Sequence, residues 1–384
     1  LRDPARADIA GAVASLRRAG IGVAMATGDH PSTALTIARD VGIAGPDAAV
    51  TTGSELSGLK DAPDSARKSV ARQRVFARVN PEQKLDLIDL FQSQGEVVAM
   101  IGDGVNDAPA LSKADIGVAM GKRGTEVARE AADIVLLDDR FSTIVTAARE
   151  GRVIFDNIRR FSMYLLSCNI AEVLVVALAV FTGLPLPLLP LQILFLNLVT
   201  DVFPAFALAT GEGEGEVLDR PPRRPGEPII PSRLWRTMAG YGLAISASTL
   251  LAIVAATYWL GFDTAAATTV SFLTIALAQL WHVFNMRGRG SGVLRNAVTA
   301  NRLLWYALAL CLGLILLAVN VPALATALQI HAIGFEGWAL AVGCSLLPLA
   351  AGQLWLTVGR DGSSRGNRDW LNGLVVVHAG DGHR

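Results

Sequence analysis

The chain contains 384 residues, of which 52% are hydrophobic and 18% are charged, and its formal net charge at pH 7 is zero. A soluble domain usually carries about a quarter charged residues, so this composition argues against an ordinary soluble protein. The high apolar content excludes a disordered one. The balanced charge gives no general attraction to nucleic acid, and we expect no nucleic-acid partner. The cysteines (Cys168, Cys311 and Cys344) lie far apart in apolar stretches and predict no disulfide framework.

Residues 1–150 mix charged and apolar groups in the manner of an α/β domain. Apolar, β-rich stretches alternate with helical patterns, and helices are predicted to begin near Pro31 and near Pro109. The alternation predicts a parallel sheet with helices on both faces, and chemistry at the carboxyl ends of its strands. The predicted strands lie at 21–26, 97–101, 116–119 and 134–137.

Two polar turns follow predicted strands and should open on the same edge of the sheet. Thr27-Gly28-Asp29 combines a hydroxyl, a glycine and the free N–H groups of a helix start, which suit a phosphate. The second turn is Gly102-Asp103-Gly104-Val105-Asn106-Asp107, and its carboxylates and amide suit Mg²⁺. An EF-hand calcium loop is excluded there, because no helix enters the turn and no glutamate stands at its twelfth position. Lys84 near a helix start could neutralise a phosphate at this edge.

Six long apolar runs follow from about residue 161, each near the 20 residues that a transmembrane helix requires. They lie near 161–182, 186–210, 236–260, 265–284, 303–324 and 336–358. Six buried helices of a large soluble protein are the alternative interpretation. The connections between the runs alternate in charge. The loops after the second and fourth runs are rich in arginine, as is the C-terminal tail, and the other three connections contain no Lys or Arg. This pattern predicts that residues 1–150, the arginine-rich loops and the tail are cytoplasmic. The N-terminus shows no signal-peptide pattern.

Two carboxylates, Glu172 and Asp201, lie well inside the first and second apolar runs without a basic partner at that depth. A carboxylate in hydrocarbon costs roughly 2.5–3.5 kcal/mol, so an intramembrane one indicates a functional site. Helical spacing places Asn169 beside Glu172, and Asn197 and Thr200 beside Asp201. Five oxygen-bearing side chains would therefore converge if the two helix faces meet, as a hard cation requires.

Other features of the runs could complete the shell. Pro204 can interrupt its helix and free backbone carbonyls. Gln279, in the fourth run, could add an amide oxygen, while for Gln279 and His282 a purely structural role is equally open. Polar side chains that only join helices are the alternative interpretation of the whole set.

Taken in order, these motifs resemble the C-terminal part of a P-type cation-transporting ATPase of the calcium-pump branch. The resemblance extends to about residue 358 and is carried most specifically by the run Met-Ile-Gly-Asp-Gly-Val-Asn-Asp-Ala-Pro-Ala-Leu at 100–111. The other matching segments are Asp3-Pro4-Ala5-Arg6, Thr27-Gly28-Asp29, 77–84 and Asn197-Leu198-Val199-Thr200-Asp201.

The resemblance implies an α/β haloacid-dehalogenase-like parallel sheet, an incomplete phosphorylation domain, followed by an all-α bundle of six transmembrane helices. It implies domains at 1–150 and 151–360 and a polar cytoplasmic tail at 361–384. It further implies a multi-pass protein, in the plasma membrane by expectation, whose cofactors are Mg²⁺ and ATP and whose partners are a transported inorganic cation, the lipid bilayer and the N-terminal part of the pump.

The resemblance also assigns roles to single residues. Nucleotide and phosphate would be bound by Thr27, Gly28, Asp29, Arg78, Lys84 and Asn106. The catalytic set would be Lys84, Asp103, Asn106, Asp107 and Asp3, with Mg²⁺ on Asp103 and Asp107 and with Asp3 at a hinge. The transported cation, Ca²⁺ by preference, would be bound by Asn169, Glu172, Asn197, Thr200, Asp201 and Gln279.

Two departures from the family pattern affect the expected function. Gln279 stands where two-site calcium pumps have a glutamate, which leaves one Ca²⁺, a monovalent cation or a proton-coupled cycle open. The phosphorylated aspartate of the family lies in an Asp-Lys-Thr-Gly-Thr motif that this chain does not contain. We therefore expect part of an ATP-driven cation pump that is inactive by itself. The alternatives are a truncated or regulatory membrane protein without turnover and a membrane-tethered phosphatase.

Overall fold

The computed structural model describes residues 7–59, 62–213, 217–220, 222–223, 226–288, 291–358 and 373–378. The described residues form two units. The first unit contains the residues up to Gly151, the described part of 216–227 and the segment 373–378. The second contains the remaining described residues between Arg152 and Val358.

Seven parallel strands form the sheet of the first unit, in the order β2-β3-β1-β7-β4-β5-β6. Their bounds are β1 Gly22–Thr27, β2 Thr51–Thr52, β3 Val75–Ala77, β4 Val97–Gly102, β5 Ile116–Met120, β6 Ile134–Leu136 and β7 Gly373–His378. All six residues of β1 are buried, as expected for a strand near the middle of a sheet covered on both faces.

Seven helices belong wholly to the first unit: α1 Ala7–Arg18, α2 Pro31–Asp40, α3 Gly53–Leu56, α4 Asp64–Ala71, α5 Pro81–Ser93, α6 Ala108–Lys113 and α7 Glu126–Ala131. Two apolar cores lie on the two faces of the sheet, because successive side chains of a strand point to opposite faces. Val23 and Met25 of β1 belong to one core. Ala24 and Ala26 belong to the other. A short 3₁₀ turn, Val105–Asp107, precedes α6.

Nine further helices follow: α8 Thr143–Thr182, α9 Pro190–Leu196, α10 Val202–Ala209, α11 Ser232–Tyr258, α12 Thr264–His282, α13 Ala297–Ala300, α14 Arg302–Asn320, α15 Pro322–Ala327 and α16 Gly334–Val358. A π-helical turn, Asn197–Asp201, joins α9 to α10. Among the described residues, six helical segments are long and apolar enough to cross a membrane. They are α8, the segment from α9 to α10, α11, α12 with the turn after it, α14 and α16.

The parallel sheet and the six apolar helices that the sequence predicts are both present, with six strands of the sheet before the helices and β7 after them. The four strands with predicted bounds are present as β1, β4, β5 and β6, and their ends differ from the prediction by one residue at most. The first long helix begins at Thr143, well before the apolar run at 161. Hydropathy detects only the apolar part of a helix, and the polar residues before 161 continue the same helix.

The C-terminal segment contains a strand that the sequence analysis did not predict. Residues 361–384 were expected to be a polar tail, yet β7 lies in the middle of the sheet. Its core, Leu-Val-Val-Val, is short and apolar, and such a run in a glycine-rich and charged context gives no clear signal by itself. Asp3, predicted at a hinge, lies outside the described residues.

Candidate functional site

The turn Thr27-Gly28-Asp29 stands at the carboxyl end of β1 and is fixed by the chain that follows β3. The backbone N–H of Asp29 donates to Thr27 Oγ1 at 3.2 Å. The N–H groups of Arg78 and Val79 donate to the carbonyls of Asp29 and Thr27 at 3.1 and 3.0 Å. Arg78 adopts a left-handed backbone conformation with φ of 51°, and its residue is exposed. Two segments predicted to bind phosphate or nucleotide are therefore held side by side.

The acidic turn after β4 is built around Asp107. Lys84 Nζ donates to Asp107 Oδ1 at 2.6 Å, and both side chains are buried. The N–H of Gly104 donates to Asp107 Oδ2 at 3.1 Å. A Cβ atom at Gly102 would lie 2.6 Å from Asp107 Cβ, so only glycine fits where β4 ends. The buried ion pair thus fixes the turn and gives Lys84 a structural partner.

Asp103 is the less buried carboxylate of this turn. It is half-buried, Asn106 beside it is exposed, and the Asp103 carbonyl accepts the N–H of Thr125 at 2.9 Å. Both oxygens of Asp107 already accept hydrogen bonds, so Asp103 is better placed to bind a metal ion. Mg²⁺ is typically held by one or two carboxylates together with phosphate oxygens and water, and the turn fits that requirement.

No group of three His, Cys, Asp or Glu side chains in the described residues gathers into a metal-binding cluster.

In the second unit, Glu172 is the centre of a buried polar network. Gln279 Nε2 donates to Glu172 Oε1 at 2.9 Å, and Asn197 Nδ2 lies 3.4 Å from Glu172 Oε2. Thr200 Oγ1 lies 2.8 Å from Gln279 Oε1. Four of the six predicted cation ligands are therefore joined by hydrogen bonds across α8, the π-helical turn and α12.

Asp201 is buried, and its Oδ1 atom has no hydrogen-bond partner in the described part of the chain. A buried carboxylate oxygen without a partner is costly, and a cation would remove that cost.

The turn that carries Asp201 is irregular because of Pro204. Proline has no N–H, so the carbonyl of Thr200, four residues earlier, loses its usual helical donor. The Tyr164 hydroxyl donates to the Thr200 carbonyl at 2.7 Å, and Cys311 Sγ donates to the neighbouring Val199 carbonyl at 3.0 Å. The predicted interruption is thus present as a π-helical turn, and a side chain of a neighbouring helix satisfies the freed carbonyl.

Two predicted residues lie apart from this network. Asn169 is exposed and donates to the carbonyl of Leu165 on its own helix at 2.9 Å. His282 is fully buried, its ring centroid lies 4.7 Å from that of Tyr241, and its Nδ1 atom lies 3.4 Å from Asn285 Nδ2.

Sequence reasoning missed Tyr164 and Cys311. Tyr164 is fully buried, and its hydroxyl also lies 3.2 Å from the Gln279 carbonyl. A tyrosine inside a predicted membrane span, one turn before Cys168, was the available signal, because a buried hydroxyl needs a partner.

Comparison with known proteins agrees with this geometry. A family described as cation transporting ATPase, C-terminus, matches residues 185–358. Two families of haloacid dehalogenase-like hydrolases match residues 1–115 and 85–147. The chain is 42% identical over 354 residues to the calcium-transporting ATPase of Bacillus subtilis. The matched region covers 92% of this chain and 39% of that protein.

The chain corresponds to the C-terminal part of a P-type cation-transporting ATPase of the calcium-pump-like kind. It is 34% identical to calcium-transporting ATPase 1 of Bacillus cereus, over 92% of this chain and 41% of that protein. It is 42% identical to the probable cation-transporting ATPase F of Mycobacterium tuberculosis, over 79% of this chain and 34% of that protein. The chain thus spans about two fifths of the length of the curated relatives it matches.

Proposed function

We propose that the chain supplies the membrane cation site, and part of the phosphorylation machinery, of an ATP-driven pump whose transported ion is Ca²⁺. The observation that carries this proposal is the buried network of Glu172, Gln279, Thr200 and Asn197 beside the unpartnered Oδ1 atom of Asp201. Carboxylate and amide oxygens are the ligands that Ca²⁺ prefers. Gln279 limits the negative charge of the network to two carboxylates, which supports one divalent cation.

At the sheet edge we assign binding of nucleotide phosphate to the Thr27-Gly28-Asp29 turn and to Arg78. Asp103 would hold Mg²⁺, and Asp107 would support the turn through Lys84 and Gly104. When bound, Mg²⁺ neutralises charge on phosphoryl oxygens. Asn106 is exposed beside Asp103 and could donate its amide N–H to phosphate. We further propose that this unit, the arginine-rich loops and the tail face the cytoplasm from the plasma membrane.

The test is cation binding by the chain reconstituted in lipid nanodiscs, measured with ⁴⁵Ca²⁺. Asp201→Asn should weaken Ca²⁺ binding by about 10- to 100-fold or more, the loss seen even for outer-shell groups of metal sites. The matched control is Asp263→Asn at the start of α12, where the side chain caps the helix by accepting the N–H of Ala266 at 2.8 Å. Asparagine caps helices as well as aspartate, so binding should be unchanged. Equal binding by the wild type and Asp201→Asn would remove the assignment.

A second candidate is a membrane protein that keeps the pump fold without turnover. One observation favours it: β7, which lies between the strands that lead into Asp29 and Asp103, ends at His378 and contains no carboxylate. The expected result with radiolabelled ATP is that the chain alone forms no acid-stable, hydroxylamine-sensitive phosphoprotein. An aspartyl phosphate on this chain would contradict the second candidate and our expectation that the chain is inactive alone.

A further inference from the structure

The loop between α12 and α14, residues 287–301, carries positive charge without negative charge. Arg287 and Arg295 lie in the loop, and Arg302 begins α14 directly after it. The sequence contains no Asp or Glu between residues 264 and 335, so neither the loop nor its two helices can neutralise these arginines. In the described part of the chain, no acidic side chain from elsewhere forms an ion pair with them. Among the described residues, their charge is therefore uncompensated.

Arg287 is the buried anchor of the loop. It is 5% exposed, and its Nε atom donates to Gln353 Oε1 at 2.8 Å. Its Nη1 atom donates to the Ser291 carbonyl at 2.7 Å. Its Nη2 atom is buried and has no hydrogen-bond partner in the part of the chain that the structure describes. A buried guanidinium without a matching anion is costly, so this arrangement favours an anion at the loop.

Hydrogen bonds centred on Asn296 hold the loop in a compact shape that exposes an apolar tip, Val293 and Leu294. Asn296 Nδ2 donates to the carbonyls of Gly292 and Val293 at 2.9 and 3.1 Å. Asn296 Oδ1 accepts the N–H of Thr299 at 3.0 Å. Val293 is 49% exposed and Leu294 is 85% exposed. Because these hydrogen bonds hold the tip outside the apolar core, another apolar phase is needed to remove its surface from water.

The two adjoining spans place the loop at the membrane surface. The apolar segment that contains α12 ends at Met286, and that of α14 begins at Arg302. Trp305 lies one turn into α14, is 51% exposed and donates its indole N–H to the Thr299 carbonyl at 2.9 Å. Tryptophan near the end of a span is typical of the headgroup layer of a bilayer. Exposed apolar residues beside arginines favour lipid over an acidic soluble protein, which would match the charge but not the tip.

We propose that this loop and Arg302 bind the headgroup of an anionic phospholipid, with the tip inserted among the neighbouring acyl chains. The exposed guanidinium groups of Arg295 and Arg302 contact the lipid phosphate, and Arg287 adds its uncompensated charge from within the loop. Arginine suits this role because its planar array of donors matches two phosphate oxygens at once. The inference does not depend on the identity of the transported cation, because it uses no residue of the buried cation network.

Lipid binding by the full chain, purified in detergent, tests the headgroup contact. Native mass spectrometry should show phosphatidylglycerol bound at least about tenfold more tightly than phosphatidylcholine with the same acyl chains. The double variant Arg295→Gln with Arg302→Gln should weaken phosphatidylglycerol binding by about 30-fold, because each arginine near an anionic surface contributes about fivefold. The matched control is Arg233→Gln with Arg236→Gln, which removes two exposed arginines at the start of α11 and should leave binding unchanged. Equal binding of both lipids by the wild type, or equal loss in both variants, would overturn the proposal.

A fluorescent probe tests the position of the tip. All three cysteines of the chain are buried, so Leu294→Cys can be labelled selectively with an environment-sensitive dye. In nanodiscs of phosphatidylcholine and phosphatidylglycerol, lipids with a spin label on the acyl chain should quench this dye at least about twofold. The control is Val127→Cys, an exposed position of α7 outside the six apolar segments, where no quenching is expected. A dye at 294 that is not quenched, as under a covering protein, or equal quenching at both positions would contradict insertion of the tip.

Discussion

Asp139 shows how one buried carboxylate organises the loop after β5. Its backbone is left-handed, with φ of 55°, and its two oxygens accept the N–H groups of Lys122 and Arg123 at 2.9 and 3.0 Å. Burial alone would raise the pKa of Asp139, but these backbone hydrogen bonds outweigh it, and the pKa lies below its ordinary value of 3.8. The ionised form therefore stabilises this loop.

We expect Asp139→Asn to destabilise the loop at neutral pH by about 1–3 kcal/mol, because an amide offers one acceptor for two donors. Asparagine tolerates the left-handed conformation, so the change adds no backbone strain. A carboxyl group whose pKa is lower in the folded state than in the unfolded state stabilises the fold at pH values above its unfolded pKa. This stabilisation is lost as the pH falls through the folded pKa. Hydrogen exchange of the Lys122 and Arg123 amides should thus be slower in the wild type than in Asp139→Asn at pH 6. The two rates should converge as the pH falls below about 3.8. A difference that is independent of pH would contradict the assignment.

At the scale of elements, the sequence predicted the strand–turn–helix units but not the form of the helix around Asp201. Hydrophobic runs and turn residues are local signals, and they placed both polar turns at strand ends. The π-helical turn at Asn197–Asp201 accepts hydrogen bonds from Tyr164 and Cys311 of other helices, and Tyr164 satisfies the Thr200 carbonyl that Pro204 leaves free. No local pattern contains those contacts.

Pro204→Ala tests the role of this turn without changing a predicted ligand. The restored N–H can bond to a carbonyl one turn earlier and draw the segment towards a regular helix, which would reorient Asp201 and Asn197. We expect Ca²⁺ affinity to fall by roughly tenfold, the smaller loss typical of outer-shell changes. Pro190→Ala is the matched control, because Pro190 is the first residue of α9, where a missing N–H costs nothing. Equal Ca²⁺ affinity in both variants would show that the turn is not needed for binding.

For the whole molecule, composition and the six apolar runs were sufficient to predict a sheet domain followed by membrane helices. The central place of β7 could not be predicted, because pairing between residues 22–26 and 374–378 spans nearly the whole chain. Intramembrane carboxylates and helical spacing singled out Glu172, Asn197 and Thr200, which the structure places in one hydrogen-bonded network with Gln279. Asn169 was grouped with them by the same spacing, yet the structure gives it a hydrogen bond within its own helix.

α12 is enclosed by its neighbours, with fifteen of its nineteen residues buried, whereas α8 exposes Val173, Val180 and Phe181. A lipid-soluble precursor dissolves in the acyl chains, and light converts it there into a reactive carbene. This carbene should therefore modify α8, α14 and α16 and spare Thr264–His282. Peptide mapping of the photolabelled chain measures this directly. Adducts distributed evenly over all six segments would mean that Gln279 meets lipid, and drugs dissolved in the bilayer could then reach it without passing through water.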